Sequence, residues 1–279
     1  MKRYAYAVFL LRIAVAEKKL ALGKHHDCLE ALKTISAEVE RFGDMEAKVY
    51  QMLAHTYGLY YQRREDHENY YKSCITYLAY TPTEEMTAKE QQDFSIKIGL
   101  SILLGKNVFN ISELLDKDVI TSLVGTPFEW LYTLMRTLGH GQIAEFEAAF
   151  NAAQGALAKF PNILKEQKYL SQKVRIIAFL ELIFDLGKDE RSVPFERIAS
   201  ACQIEMDKVE YLLIKSMSLL LVRGTIDEVD QVVHIDWAMP RYLSKEHLQK
   251  MHSKMEQWED KMNNVIGLCE SQALELMHN

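Results

Sequence analysis

Cysteine is scarce in this chain of 279 residues, and the four present (Cys28, Cys74, Cys202 and Cys269) are scattered with no CxxC pair. That spacing argues against a zinc ribbon or a thiol redox motif and suits reduced, buried thiols in the cytosol or nucleus. Only 5 prolines and 12 glycines occur, which leaves little room for the turns of an all-β fold or for a disordered linker. No apolar run reaches the roughly 20 residues of a membrane span, and Arg175 and Glu181 interrupt the best candidate, VRIIAFLELIF. An excess of positive charge is also missing. Lys and Arg number 33 against 39 Asp and Glu, a net charge of -6, so any contact with nucleic acid needs a local basic face.

The opening MKRYAYAVFLLRIAVAE superficially resembles a signal peptide, with Lys2 and Arg3 before an apolar run and Ala14-Val15-Ala16 at its end. Arg12 interrupts that run, and Tyr4, Val8, Leu11 and Val15 recur at helical spacing, which predicts an amphipathic helix instead. Composition is that of an ordinary globular protein of one or two domains, with 48% hydrophobic and 26% charged residues.

Residues 1–187 read as consecutive helices. Tyr4–Leu22 ends at Gly23, and the next helix begins near His25. Met45–Arg63 and Asp66–Tyr80 follow, the latter stopped by Thr81-Pro82, and further helices are predicted at 84–104, 111–124, 127–138, 141–159 and 162–187. The first two hairpins repeat at roughly 40 residues, the period of helix-turn-helix solenoid units. Tyrosine is dense from Tyr50 to Tyr80 (also Tyr57, Tyr60, Tyr61, Tyr70, Tyr71 and Tyr77), beside Arg63, Arg64 and Lys72. These rings are expected to pack between helices with hydroxyls at the solvent edge rather than to stack on bases.

From Pro194 the character changes. Pro194 suits the first turn of a helix, FERIASAC places Phe195, Ile198 and Ala199 on one face, and Met206–Leu220 forms a second helix with Val209, Leu212, Leu213, Met217 and Leu220 toward a core. A two-stranded ribbon is predicted at about Leu221–Ile226 and Val232–Trp237, turning over Asp227–Gln231. Two helices and a ribbon suggest a winged helix. From Pro194 to Pro240 four basic residues (Arg197, Lys208, Lys215, Arg223) face eight acidic ones, a local charge of -4, and the wing tip reads DEVD. Such a tip repels phosphate, while a strand edge offers backbone groups for pairing with a protein. Val232, Val233 and Ile235 are therefore predicted interaction residues.

Residues 244–277 form one long predicted helix. Leu248, Met251, Met255, Trp258, Met262, Val265 and Cys269 recur at alternating spacings of 3 and 4, and Ala273 and Leu276 extend the stripe. That is a heptad-like seam, the pattern of helices packing side by side across chains. The alternative is a helix folded back on its own chain.

Motifs of catalysis fail on spacing. Gly105-Lys106 lacks a phosphate loop's geometry, because Gly99 lies six residues before Gly105 and Asn107 stands where Ser or Thr is needed. His25-His26 point about 100° apart on a helix, His247 and His252 are five apart, and His140 sits in a turn. Glu84-Glu85 and Glu145/Glu147 belong to helix starts, where negative charge favours the macrodipole. No enzyme activity, metal or cofactor is expected.

FERIA (195–199), VEYLLIKSMSLLLVRGTIDEVDQVVHIDWAMPR (209–241) and GKNVFNISELL (105–115) resemble the PCI-domain family, found in proteasome lid, signalosome and initiation-factor subunits. The resemblance covers most of the chain, strongly from Phe195 to Arg241 and more loosely before it, and the sequence begins deeper into the array than family members usually do. It implies a mainly α protein: a right-handed, TPR-like helical-repeat array (1–187), a winged-helix part of the PCI domain (190–241) and a bundle helix (244–279). It further implies a non-catalytic scaffold of the 26S proteasome regulatory particle lid, in cytoplasm and nucleus, without nucleic acid or membrane. Its partners would be other PCI-domain lid subunits, paired edge to edge and through a helical bundle, and the lid deubiquitinase module. A scaffold of a signalosome or initiation-factor complex, or a nucleic-acid-binding winged helix, are the alternatives. A pulldown separates the first, and salt-sensitive nucleic-acid binding the second.

Overall fold

Amphipathic helices dominate the computed structural model, which describes residues 2–43, 45–82, 86–115, 117–186, 191–240 and 245–277. Helices α1 (Lys2–Ala21), α2 (His25–Phe42), α3 (Ala47–Arg63), α4 (His67–Tyr80) and α5 (Ala88–Leu104) stack in sequence order. Local chemistry sets their ends. Gly23 takes a left-handed φ of 78° between α1 and α2. Asp66 caps α4 by accepting from the Asn69 amide at 3.1 Å, and Thr87 with Glu90 closes a capping box on α5.

The buried face of α1 differs from the predicted one. Phe9, Ile13, Ala16 and Leu20 are buried, whereas Leu11 and Val15 are exposed. At 100° per residue Val8, Leu11 and Val15 lie well over a quarter-turn, about 140°, around the helix from the face that α2 and α3 cover. Choosing among apolar residues on nearly every side of a helix needs the neighbour, and here the neighbour is α2. Phe9, Ile13 and Leu20 join Leu32, Ile35, Val49 and Leu53 in one amino-terminal core. A second core runs unbroken from Tyr70 to Ile235, and Tyr61 packs against both.

Beyond α5 the helices are shorter than the periodicity predicts. The stretch 111–124 divides into α6 (Ser112–Leu115) and α7 (Asp118–Thr121), followed by α8 (Glu129–Gly139). Residues 141–159 divide into α9 (Ile143–Ala152) and α10 (Gln154–Leu157), and 162–187 into α11 (Pro161–Lys165) and α12 (Gln167–Asp185). Gly141 marks a close approach: its φ is 64°, and a Cβ there would lie 2.7 Å from the backbone Cα of Ala178 on α12.

The winged-helix part comprises β1 (Ser192–Pro194), α13 (Phe195–Cys202), a 3-10 turn (Met206–Lys208), α14 (Val209–Ser218), β2 (Val222–Asp227) and β3 (Val232–Ala238). Pro194 ends β1 and occupies the cap position of α13 rather than its first turn. Leu220 is exposed with a left-handed φ of 57°, because the chain reverses there to enter β2; the predicted core role falls to Leu221 and Val222 instead. The sheet has three strands in the order β1-β3-β2, both pairings antiparallel. A bulge between Arg223 and Gly224 bends β2 against β3, and a Cβ on Gly224 would collide with the His234 carbonyl. The last helix, α15 (Lys245–Met277), belongs to a separate unit: the chain divides into Met1–Met239 and Pro240–Asn279.

Candidate protein-interaction surfaces

Helix α15 is 33 residues long, about 50 Å at 1.5 Å per residue. Along it Met251, Met255, Trp258, Met262 and Val265 are all exposed, and Ile266, which the heptad reading passes over, joins them. The side chains of Leu248 and Cys269 lie outside the described residues. Ionic residues such as Lys254, Glu259 and Lys261 occupy the remaining surface. A contiguous row of Met and Trp held in water is the mark of a surface that another protein covers, and methionine lets it adapt to the partner's shape.

The sheet corrects one expectation. β3 is the central strand, not an edge: Ser192 pairs with His234, Val193 with Val233 and Pro194 with Val232 on one side, while β2 pairs on the other. Val233 and Ile235 are buried in the core and Val232 is half-buried. The backbone of these three residues is thus engaged within the chain. The three residues before α13 carry too little pattern to read as a strand, which is why β1 escaped the sequence reading. The outer strands are β1, three residues long, and the longer β2, and the side of each away from β3 meets no strand among the described residues.

The outward face of α14 carries Tyr211 and Ile214, both exposed. A winged helix that reads a duplex places cations on this helix and wing for phosphate. Here Lys208 is held by Glu205 at 2.5 Å, and the Arg223 guanidinium lies 5.1 Å from the centroid of the Trp237 ring. The wing tip is tied down by Asp227, whose carboxylate accepts from the amides of Val229 and Asp230 at 3.0 and 3.1 Å.

A cavity of about 410 Å³ opens between α3, α4 and α5, lined in part by His55, Gly58, Tyr70, Tyr77, Asp93 and Phe94. Tyr60, Tyr70 and Tyr71 are buried and Tyr50 stacks on Tyr80 at 4.9 Å, as packing between helices predicts, but the Tyr71 hydroxyl donates to the Asn110 carbonyl rather than lying at the solvent edge. Nucleophilic chemistry is poorly served, because burial pushes the thiols of Cys74 and Cys202 up to about 12. Among the described residues, no group of three or more His, Cys, Asp and Glu could hold a metal ion, and no helix is long and apolar enough to cross a membrane. Glu145 lies in the first turn of α9, and Glu147 bonds Arg175 at 3.5 Å; Glu84 and Glu85 lie outside the described residues.

Residues 2–135 match the PSD13 N-terminal repeats, and residues 154–237 match the PCI domain. The 26S proteasome non-ATPase regulatory subunit 13 homolog A of Arabidopsis thaliana is 29% identical over 93% of this chain and 67% of its own length. The probable 26S proteasome regulatory subunit rpn9 of Schizosaccharomyces pombe is 29% identical over 96% of this chain and 68% of its own. A weaker similarity, 21% identity over 95% of this chain and 66% of the relative, is to eukaryotic translation initiation factor 3 subunit M of Nematostella vectensis. The chain spans about two thirds of the length of these relatives. It carries repeats of the PSD13 amino-terminal type followed by a PCI domain.

Proposed function

We propose that the chain is a structural subunit of the lid of the 26S proteasome regulatory particle, supporting lid assembly and thereby ubiquitin-dependent degradation. The observation that carries this reading is the exposed Met251–Met255–Trp258–Met262–Val265 row on α15, a ready-made seam for a multi-helix bundle. The names of the relatives at 29% identity support the 26S proteasome as that assembly. The outer strand β2 supplies a second contact, by pairing with the edge of a neighbouring winged helix. On this reading the subunit performs no chemistry, works in cytoplasm and nucleus, binds neither nucleic acid nor membrane, and sits among other PCI-domain lid subunits and the lid deubiquitinase module.

Affinity purification of the tagged full chain followed by mass spectrometry tests this. Recovery of proteasome lid and base subunits in stoichiometric amounts is expected. Recovery of initiation-factor subunits without proteasome components would overturn it in favour of the second reading, which the similarity to initiation factor 3 subunit M supports.

A further inference from the structure

Lys173 of α12 is a fully buried lysine. Its Nζ donates to the carbonyl of Ile102, in the last turn of α5, at 2.6 Å and to that of Gly105, just past the helix end, at 2.8 Å. These carbonyls have no amide to accept from within α5, because the helix stops at Leu104. One turn away, the Tyr169 hydroxyl donates to the Lys106 carbonyl at 2.6 Å. From the other side α4 grips the same loop: Asn107 donates to Glu68 at 2.8 Å and Tyr71 donates to the Asn110 carbonyl at 2.6 Å. The loop after α5 belongs to the amino-terminal repeats, whereas α12 belongs to the PCI domain. Lys173 therefore supplies, from 71 residues away, the helix end that α5 cannot make for itself.

The two protonation states fit this pocket unequally. A neutral amine has two N–H groups for two carbonyls. A charged ammonium brings a third proton that meets only the rings of Phe109 and Tyr169, at 5.8 and 5.9 Å from their centroids. The carbonyl dipoles at a helix end and the ring faces favour the cation, but burying the charge with no carboxylate beside it costs more than they return. Among the described residues, no carboxylate forms an ion pair with Lys173. The ionisable groups around the pocket are Tyr169 on the same helix, Glu166 before it, Glu68 of α4 with its partner Lys72, and the exposed Lys106 of the loop.

We propose that Lys173 is a proton-sensitive clasp between the repeat array and the PCI domain, tight while its amine is neutral and loosened when the amine is charged. Burial alone pulls its pKa from 10.5 down to about 7, which puts the change within reach of mild buffers. The sign follows from linkage. The open state binds a proton more readily than the closed one, so opening becomes easier as pH falls from the open-state value toward 7 and levels off below it.

Amide hydrogen exchange of the full chain, measured by mass spectrometry between pH 6 and 9 and corrected for intrinsic rates, tests the clasp. Opening of residues 102–110 should rise roughly tenfold per pH unit from pH 9 toward 7 and flatten below, while α1–α3 show no such slope. In Lys173→Met the segment should exchange faster at pH 9 and lose the slope. Corrected wild-type rates that do not change with pH would overturn the proposal, as would a Lys173→Met protein that keeps the wild-type slope. Should Lys173→Met not fold, Tyr169→Phe serves: faster exchange of the loop with the slope retained supports the clasp, and a slope lost with the hydroxyl refutes Lys173 as its source.

Discussion

Replacing Trp258 and Met262 by alanine separates the proposed assembly role of α15 from any role in the fold. In the free chain Trp258 leaves 63% of its surface in water and Met262 44%. A tryptophan buries up to about 250 Å², so roughly 150 Å² at Trp258 remain for a partner to cover. At about 25 cal/mol per Å² this corresponds to up to about 4 kcal/mol, and Met262 adds about 2 on the same basis. Ordering of side chains on binding offsets part of this gain. With tenfold in affinity for each ~1.4 kcal/mol, the double variant should bind its neighbours at least a hundredfold more weakly. The free chain should hardly notice, because substitutions at exposed sites usually stay within about 0.5 kcal/mol. Circular dichroism melting of the isolated protein and co-purification with the complex read the two halves. Normal assembly of the double variant would refute the seam as an anchor. A large drop in melting temperature of the isolated chain would refute it differently, by showing that the row is covered by its own protein.

Other consequences are open to direct measurement. Gly141→Ala should destabilise the chain by about 1–3 kcal/mol in denaturant unfolding, since its φ of 64° and the 2.7 Å approach to Ala178 both oppose a Cβ. A thiol reagent at pH 8 should leave Cys74 and Cys202 unmodified in the native protein and label them at once in denaturant, because burial holds their pKa near 12. Arg12 donates to Glu38 at 2.5 Å and holds its carboxyl below the ordinary value. That pair should therefore contribute stability above about pH 4.5 and lose it as pH falls through the lowered value. Its partial exposure limits the effect of Glu38→Gln to about 0.5 kcal/mol in an unfolding titration.

Much of this architecture is written in periodicity. Helix ends at Gly23 and Asp66 and the start of α13 at Phe195 follow from local chemistry that needs no partner, and the 3-4 spacing from Met251 to Val265 survives as an exposed row. What escaped depends on contacts far apart in the chain. β1 is three residues long and exists because Val233 waits 40 residues downstream. The true face of α1 is chosen by α2 and α3, not by its own pattern. Lys173 did leave a trace: Ile176, Ile177 and Leu180, at helical spacing from it, are buried, so a lysine stands on an apolar face. Its two acceptors, in a turn some 70 residues earlier, left none.

The central position of β3 gives the order of synthesis a meaning. Val233 and Ile235 are the last buried side chains of the larger core, and the sheet cannot close until they emerge. Helix α15 follows them directly on the chain. A nascent protein thus finishes its body before it displays the Met and Trp row to other chains, since domains fold as they leave the ribosome at about 5–20 residues per second. A product cut short before Val232 lacks both the strand that completes the core and the helix that carries the exposed row.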